Sequence, residues 1–261
     1  MKMRLALAQM QIISGNLTGN LKKAKEMIAA AAAQSADLVL LPELWSSGYD
    51  LSRSAEHAAA NQHINQSVAA LARQHHIWIG GSLLNDQDGK VFNTFALIDP
   101  QGNRHAGYNK IHLFKLMEEN RWLTAGDSPI ITHLPCGETG LAICYDLRFP
   151  ELFRHYALVD ARLILITAEW PWVRSEHWRT LLRARAIENQ LFIAAVNAVG
   201  DSAGTLMGGQ SMIIDPWGNI VTEGSPTEEH LITADLDFDL VDQVRQAIPA
   251  LTDRRPDIFC P

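Results

Sequence analysis

The stretch GLAICYDLRFPE, residues 140–151, decides how this chain is read. An apolar run gives way at Cys144 to a mixed polar segment, and Pro150 suits the first turn of a following helix. This order predicts a strand that ends abruptly and leads into a helix. A side chain at such an elbow is lifted clear of the sheet, and the N–H of Tyr145 points towards an oxyanion formed on it. Cys144 is therefore a candidate nucleophile; the alternative is a small buried hydrophobe.

Apolar runs and helical periodicity alternate along the rest of the chain. The segment at residues 37–43 is a short, almost wholly apolar strand, which is typical of sheets covered on both faces. Strands are predicted at residues 5–10, 37–43, 77–84, 93–98, up to Lys110, 163–168, 191–197, 212–215 and 231–236, and helices at 21–34, 64–75, 150–159 and 176–189. The pattern predicts an α/β fold with two layers of sheet and helices outside them. No linker is evident, so residues 1–261 are predicted to form a single domain.

Composition excludes several classes of protein. With 261 residues, 47% of them hydrophobic and 20% charged, the chain can bury a continuous core. A net charge of -7 with scattered Lys and Arg argues against nucleic-acid binding. Cys136, Cys144 and Cys260 form no CxxC pair, which argues against a disulfide framework or a zinc site, and Cys136 and Cys260 carry no functional signal. The first apolar run is too short for a signal peptide and no run could cross a bilayer, so we expect a cytoplasmic protein without membrane contact.

A cysteine nucleophile needs a base, and histidine is the usual one. None of the ten histidines lies in a papain-like or caspase-like context. His57, His63, His75 and His76 fall on polar helical stretches and are expected to be exposed.

Charged residues at the ends of apolar strands are better candidates, because burying a charge there is costly unless the charge has a function. Glu43 closes one such strand and Lys110 closes another. The alternative for each is a surface residue at a strand end. Glu119 lies in a polar loop, where a solvated charge is the ordinary expectation.

Three stretches, in this order, resemble the motifs of the nitrilase, or carbon-nitrogen hydrolase, superfamily. They are LLPELWSSGYD (residues 40–50), YNKIHLF (108–114) and ICYDLRFPEL (143–152), and RARAIENQ (183–190) and IIDPWGN (213–219) extend the match. The resemblance covers nearly the whole chain.

The resemblance implies a Glu-Lys-Cys triad at Glu43, Lys110 and Cys144, and a second glutamate for which Glu119 fits better than Glu118. In this mechanism Glu43 is the base, and Lys110 and the N–H of Tyr145 hold the oxyanion. The family also implies a four-layer α-β-β-α sandwich of two mixed sheets, a homodimer, and catalysis without a metal or organic cofactor.

Two further stretches, HLFKLMEENRWLTAGD (112–127) and AEWPWVRSEHW (168–178), resemble the ω-amidase branch, which includes bacterial members associated with methionine salvage. That branch hydrolyses the terminal amide of α-keto acids such as 2-oxoglutaramate. The distal carboxylate of such a substrate needs a cation, and Arg174 is the candidate because guanidinium binds carboxylate in two-pronged geometry. Arg148 is the competing candidate, although its place in the elbow motif next to Asp146 and Glu151 favours a structural ion pair. Trp170 and Tyr145 are candidate apolar walls.

Other functions stay open at this point. The chain could hydrolyse N-carbamoyl amines or deaminated glutathione, or it could be a catalytically silent binding subunit, which the retained motif residues argue against. Cys144 could also be a redox-sensing thiol on a non-enzymatic scaffold.

Overall fold

Two six-stranded sheets form the centre of the molecule. A computed structural model describes residues 1–259 of the chain, and Cys260 lies outside the described residues. Strands and helices are numbered in chain order. The first sheet runs β14 (His230–Asp237), β1 (Lys2–Gln9), β2 (Leu38–Leu40), β3 (Trp78–Gln87), β4 (Lys90–Ile98) and β5 (Arg104–Asn109). The second runs β13 (Ile220–Glu223), β12 (Met212–Ile214), β9 (Phe192–Asn197), β8 (Leu163–Ala168), β7 (Gly137–Ile143) and β6 (Ile131–Leu134). A separate hairpin joins β10 (Val199–Ser202) to β11 (Thr205–Gly208).

Seven helices accompany the sheets in the described part of the chain. They are α1 (Leu17–Ala33), α2 (Ser54–His75), α3 (Glu119–Trp122), α4 (Pro150–Leu158), α5 (Ser175–Asn189), α6 (Asp239–Ala247) and α7 (Pro256–Phe259). Because successive strand residues face opposite sides, Leu5 and Leu7 of β1 join the core between the sheets, whereas Ala6 and Ala8 join a second core beneath α1 and α2. Helices α4 and α5 cover the other sheet. The predicted α-β-β-α sandwich is confirmed.

The two sheets share one pairing pattern. In the first, β1, β2 and β3 are parallel, and in the second β7, β8 and β9 are parallel, while their outer neighbours are antiparallel. Strand β5 points the same way as β3, because two antiparallel pairings separate them. The carboxyl ends of β2 and β5 therefore meet at one edge of the first sheet. Those of β7 and β8 meet at one edge of the second, and open α/β sheets bind ligands outside such edges.

The structure differs from the sequence-based expectation along α2. This helix begins at Ser54, ten residues before the predicted start, and its first half buries mostly polar side chains. The expectation that His57 is exposed is wrong, since it is 1% exposed and its Nε2 lies 2.8 Å from Asp50 Oδ2. Asn61 is also buried and donates to the Leu84 carbonyl at 2.8 Å. Hydrogen bonding replaces apolar contact there, and apolar periodicity could not reveal it.

Strand β6 and the β10–β11 hairpin were not predicted. Among residues 1–259, no helix is both long and apolar enough to span a membrane.

Candidate active site

Cys144 lies at the end of β7, where the chain turns sharply. Its φ of +44° is in the left-handed region that side chains other than glycine rarely adopt, and a single 3₁₀ turn, Cys144–Arg148, follows. The Asp146 carboxylate fixes the turn by accepting from the Ile143 N–H at 2.9 Å. Because the first N–H groups of a helical turn have no partner inside it, the Tyr145 N–H is free to act beside the thiol. The predicted elbow is present.

Glu43 lies in the turn after β2 and is 0% exposed. Its Oε1 accepts from Lys110 Nζ at 2.7 Å and from Asn93 Nδ2 at 2.8 Å. Its Oε2 accepts from the Glu169 N–H at 3.0 Å. Asn93 lies on β4 and Lys110 follows β5, both strands of the first sheet, whereas Glu169 follows β8 of the second sheet. Both halves of the sandwich therefore orient the carboxylate.

Lys110 follows β5 and joins two glutamates, with Nζ 2.7 Å from Glu43 and 2.6 Å from Glu119. All three side chains are 0% exposed. Glu119 Oε1 also accepts from Tyr49 Oη at 2.8 Å, and its Oε2 accepts from the Phe114 N–H at 2.6 Å. A buried ammonium with two carboxylate partners and full hydrogen bonding is a fixed, water-excluded charge cluster.

The neighbouring residue Glu118 is exposed and lies 3.5 Å from Arg121. Of the two adjacent glutamates, the structure brings Glu119 to Lys110.

Burial and neighbouring charge set the protonation of this cluster. Burial alone lowers the pKa of Lys110, but the charges of Glu119 and Glu43 outweigh it and raise that pKa above its ordinary value, so the amine is an ammonium. Burial, followed by the charge of Glu43, raises the pKa of the Cys144 thiol well above its ordinary value. The resting Cys144 side chain is therefore a neutral thiol, and Glu43 is a carboxylate close enough to affect its pKa.

Asp146 connects the elbow to the segment that carries Lys110. It is 0% exposed and accepts from Tyr108 Oη at 2.8 Å, two residues before the lysine. It also accepts from the N–H of His112 at 3.1 Å, with His112 Nδ1 at 2.8 Å, two residues after the lysine. Asp146 thus fixes Lys110 relative to Cys144.

A cavity opens beside Cys144. Tyr145 and Trp170 both line it, as do Tyr49 and Phe114.

The assignment of Arg148 to a structural ion pair is wrong. Asp146 is occupied by Tyr108 and His112, and Arg148 has no carboxylate within 4.0 Å in the part of the chain that the structure describes. The guanidinium lies instead over the Trp170 ring, 4.6 Å from its centroid, and lines the cavity.

Arg174 lines the same cavity. Its guanidinium lies 5.7 Å from the Phe114 ring centroid, and its carbonyl accepts from Trp170 Nε1 at 2.9 Å. Burial and the positive charge of Arg174 lower the pKa of Arg148. Two neighbouring cations without an acidic partner among residues 1–259 have the charge and donors to bind an anion.

Sequence reasoning missed three residues that contribute to the site, namely Tyr49, Asn93 and Glu169. Glu169 directly follows the apolar strand β8, and this placement is the signal that singled out Glu43 and Lys110. Tyr49 belongs to the quoted motif around Glu43. Asn93 lies inside β4, and its contact with Glu43 has no sequence signal that we can identify. No cluster of three or more His, Cys, Asp or Glu side chains suited to a metal occurs among residues 1–259.

Curated relatives match this chain over nearly its full length. The 2-oxoglutaramate amidase of Bacillus subtilis (strain 168) is 38% identical over 261 residues, which cover 99% of this chain and 100% of the relative. The omega-amidase NIT2 of Homo sapiens is 34% identical over 98% of this chain and 96% of its own length. The resemblance to the ω-amidase branch is confirmed.

A solved structure shows the same fold. It is a mutant of the amidase from Nesterenkonia sp. AN1 with a covalent addition of the acetamide moiety of fluoroacetamide at the active-site cysteine. The TM-score is 0.89 at 27% identity, covering 98% of this chain and 95% of that one. The carbon-nitrogen hydrolase family model matches residues 4–246. With its fold, its motifs and its relatives in agreement, the chain belongs to the carbon-nitrogen hydrolase family.

Proposed function

We propose that the protein hydrolyses the terminal carboxamide of a small α-keto acid, 2-oxoglutaramate or a close analogue, to the dicarboxylate and ammonia. One observation carries the reaction type: Lys110 Nζ lies 2.7 Å from Glu43 and 2.6 Å from Glu119, in the cluster that faces Cys144. This arrangement supplies a base, a fixed cation and a nucleophile without a metal.

In the first half of the reaction, Glu43 takes the thiol proton and the Cys144 sulfur attacks the amide carbon. The oxyanion is held by the Lys110 ammonium and the Tyr145 N–H, each donor contributing on the order of 3 kcal/mol to transition-state binding. Glu43 then passes its proton to the nitrogen. The C–N bond breaks, leaving a thioester and ammonia.

In the second half, a water molecule replaces ammonia and Glu43 takes its proton as the oxygen attacks the thioester carbon. The tetrahedral intermediate collapses, the C–S bond breaks and the sulfur regains a proton. Glu119 does not exchange protons in this scheme. It holds Lys110 and, through Tyr49, one wall of the cavity.

The keto-acid substrate class rests on the arginines and on the relatives. The substrate carboxylate lies furthest from the scissile amide, and Arg174 with Arg148 supplies the cationic end of the cavity. The named activity of the Bacillus relative, 2-oxoglutaramate amidase, is of this class. A thiol sensor is the weaker alternative, since sensor cysteines need a low pKa and an exposed sulfur, whereas Cys144 is 6% exposed with a raised pKa.

The test is ammonia release from 2-oxoglutaramate by the wild-type protein and by Cys144→Ala. Wild-type turnover and its loss in the variant are expected, and mass spectrometry of the quenched wild-type reaction should show the acyl adduct on Cys144. Undiminished turnover by Cys144→Ala would exclude the mechanism. Cys136→Ala is the matched control, because Cys136 is a buried thiol outside the cavity.

Three further predictions belong to this proposal: one domain over residues 1–261, a homodimer and a cytoplasmic location. The family resemblance supports the homodimer, and pairing through the outer helices α4 and α5 would cover Leu158 and Ile187, which are 46% and 49% exposed. A reducing compartment suits a free catalytic thiol. Light scattering on the purified protein and fractionation of the cells that make it test the assembly and the location.

A further inference from the structure

Glu169 is a buried carboxyl group that the mechanism above does not use. It follows β8, lines the same cavity as Cys144 and is 1% exposed. Neither of its carboxyl oxygens has a hydrogen-bond partner among residues 1–259. Because buried polar groups are nearly always hydrogen-bonded, a carboxyl left without partners in a catalytic cavity points to a group that the substrate supplies.

The position of Glu169 indicates which end of the substrate it faces. Its backbone N–H donates to Glu43 Oε2 at 3.0 Å. Glu43 is the group that protonates the departing nitrogen, so Glu169 lies on the leaving-group side of the cavity. Arg148 and Arg174, which suit a distal carboxylate, are separate residues of the cavity lining.

The hydrogen bonds of the other two glutamates sharpen this assignment. Glu119 Oε1 already accepts from Lys110 and Tyr49, and its Oε2 accepts from the Phe114 N–H. Glu43 Oε1 accepts from Lys110 and Asn93. The –NH₂ of a primary amide brings two N–H donors into the cavity, and of these three carboxyl groups only that of Glu169 is wholly free to accept.

Glu169 can approach Glu43 without repelling it. Burial, followed by the charge of Glu43, raises the pKa of Glu169 well above its ordinary value, whereas the neighbouring Ser202 hydroxyl, itself buried without a hydrogen-bond partner among residues 1–259, lowers that pKa. The raised pKa favours the uncharged carboxylic acid, whose carbonyl oxygen is an acceptor.

We propose that Glu169 is a leaving-group residue whose carboxyl oxygen accepts a hydrogen bond from the –NH₂ of the scissile carboxamide. The role rests on the amidase function proposed above and extends it, because it selects primary amides over esters of the same acid. An ester oxygen carries no hydrogen and gains nothing from this acceptor.

The experiment compares two substrates with one acyl group, 2-oxoglutaramate and the 5-methyl ester of 2-oxoglutarate, by following release of the dicarboxylate. In Glu169→Leu the kcat/KM for the amide should fall about 10- to 100-fold and that for the ester less than about threefold. Glu169→Gln keeps a neutral carbonyl acceptor, so it should retain amide activity within about fivefold. Thr167→Val, which removes a buried hydroxyl inside β8, should leave the amide-to-ester ratio unchanged.

The ratio is measured within each variant, so a partly misfolded preparation does not alter it, and Glu169→Ala replaces Glu169→Leu if the latter does not fold. Equal losses on amide and ester, or unchanged amide activity, would overturn the role of Glu169. If the wild-type protein cleaves neither keto-acid substrate, the proposed substrate is wrong. Butyramide and methyl butyrate then provide the pair on which the same ratio decides the role of Glu169.

Discussion

The two ends of the catalytic cavity are built in opposite ways. At its Cys144 end lies the cluster of Glu43, Lys110 and Glu119, which we call the floor; every side chain in it is 0% exposed and each charge has an opposite charge within 2.7 Å. At its outer end, Arg148 and Arg174 are half-buried, close enough to affect one another, and without a carboxylate partner among the described residues. The floor is preorganised for a reaction, whereas the outer end is incomplete until an anion arrives. Reaction type and substrate choice therefore reside in different residues.

The largest effect is expected at the floor. Lys110→Met removes an oxyanion donor and should lower kcat about 10³-fold or more. The variant also leaves two carboxylates buried without their cation, which should cost about 3–5 kcal/mol of unfolding free energy. Ammonia release and thermal unfolding measure the two effects. Lys25→Met, on the exposed side of α1, is the control, and a kcat within tenfold of wild type would contradict the preorganised floor.

Asp146→Asn should have the next largest effect, because Asp146 ties the floor to the elbow. Weaker bonds to Tyr108 and His112 loosen Lys110 relative to Cys144, and a misplacement of about 1 Å can cost about 10²-fold in rate. We expect a 10- to 100-fold fall in kcat with little change in KM. Alkylation of Cys144 by iodoacetamide, which does not need Lys110, should slow much less. Parallel losses in turnover and alkylation would indicate a damaged elbow instead.

Substitutions at the outer end of the cavity should raise the KM for the substrate. Arg148→Ala and Arg174→Ala each remove a charged hydrogen-bond donor, and the KM for 2-oxoglutaramate should rise about tenfold or more in each. The uncharged substrate butyramide should be affected little, because it has no carboxylate to lose. Arg121→Ala, an exposed arginine outside the cavity lining, is the control. Equal losses on both substrates would assign the arginines to the fold.

The difference between the two ends of the cavity also explains which site residues could be predicted from the sequence. The local pattern made Glu43, Lys110 and Cys144 candidates at strand ends but left a structural alternative for each, and the family resemblance implied their roles. The strand directions within each half of the sandwich bring their strand ends to the sheet edges. Arg148 was misassigned because its nearest acids in sequence, Asp146 and Glu151, are not its neighbours in space. Asp146 is occupied by residues 34 and 38 positions earlier in the chain. Buried polar contacts of this kind, like those of His57 and Asn93, depend on long-range packing that periodicity does not encode.

The smallest expected effect is on thermal stability, and it tests the raised pKa of Glu169 on the leaving-group side of the cavity. The folded-state pKa of Glu169 is raised above its unfolded value of about 4.3. Its contribution to stability is thus complete below that value and is lost as pH rises towards the folded-state pKa. Glu169→Gln has no proton to lose, so the Tm of wild type minus that of the variant should fall between pH 5 and pH 8, by about 2–4 °C for each kcal/mol. Thermal unfolding without substrate measures this difference. A constant Tm difference would mean that folding does not raise the pKa of Glu169, and its carboxylate would then repel that of Glu43.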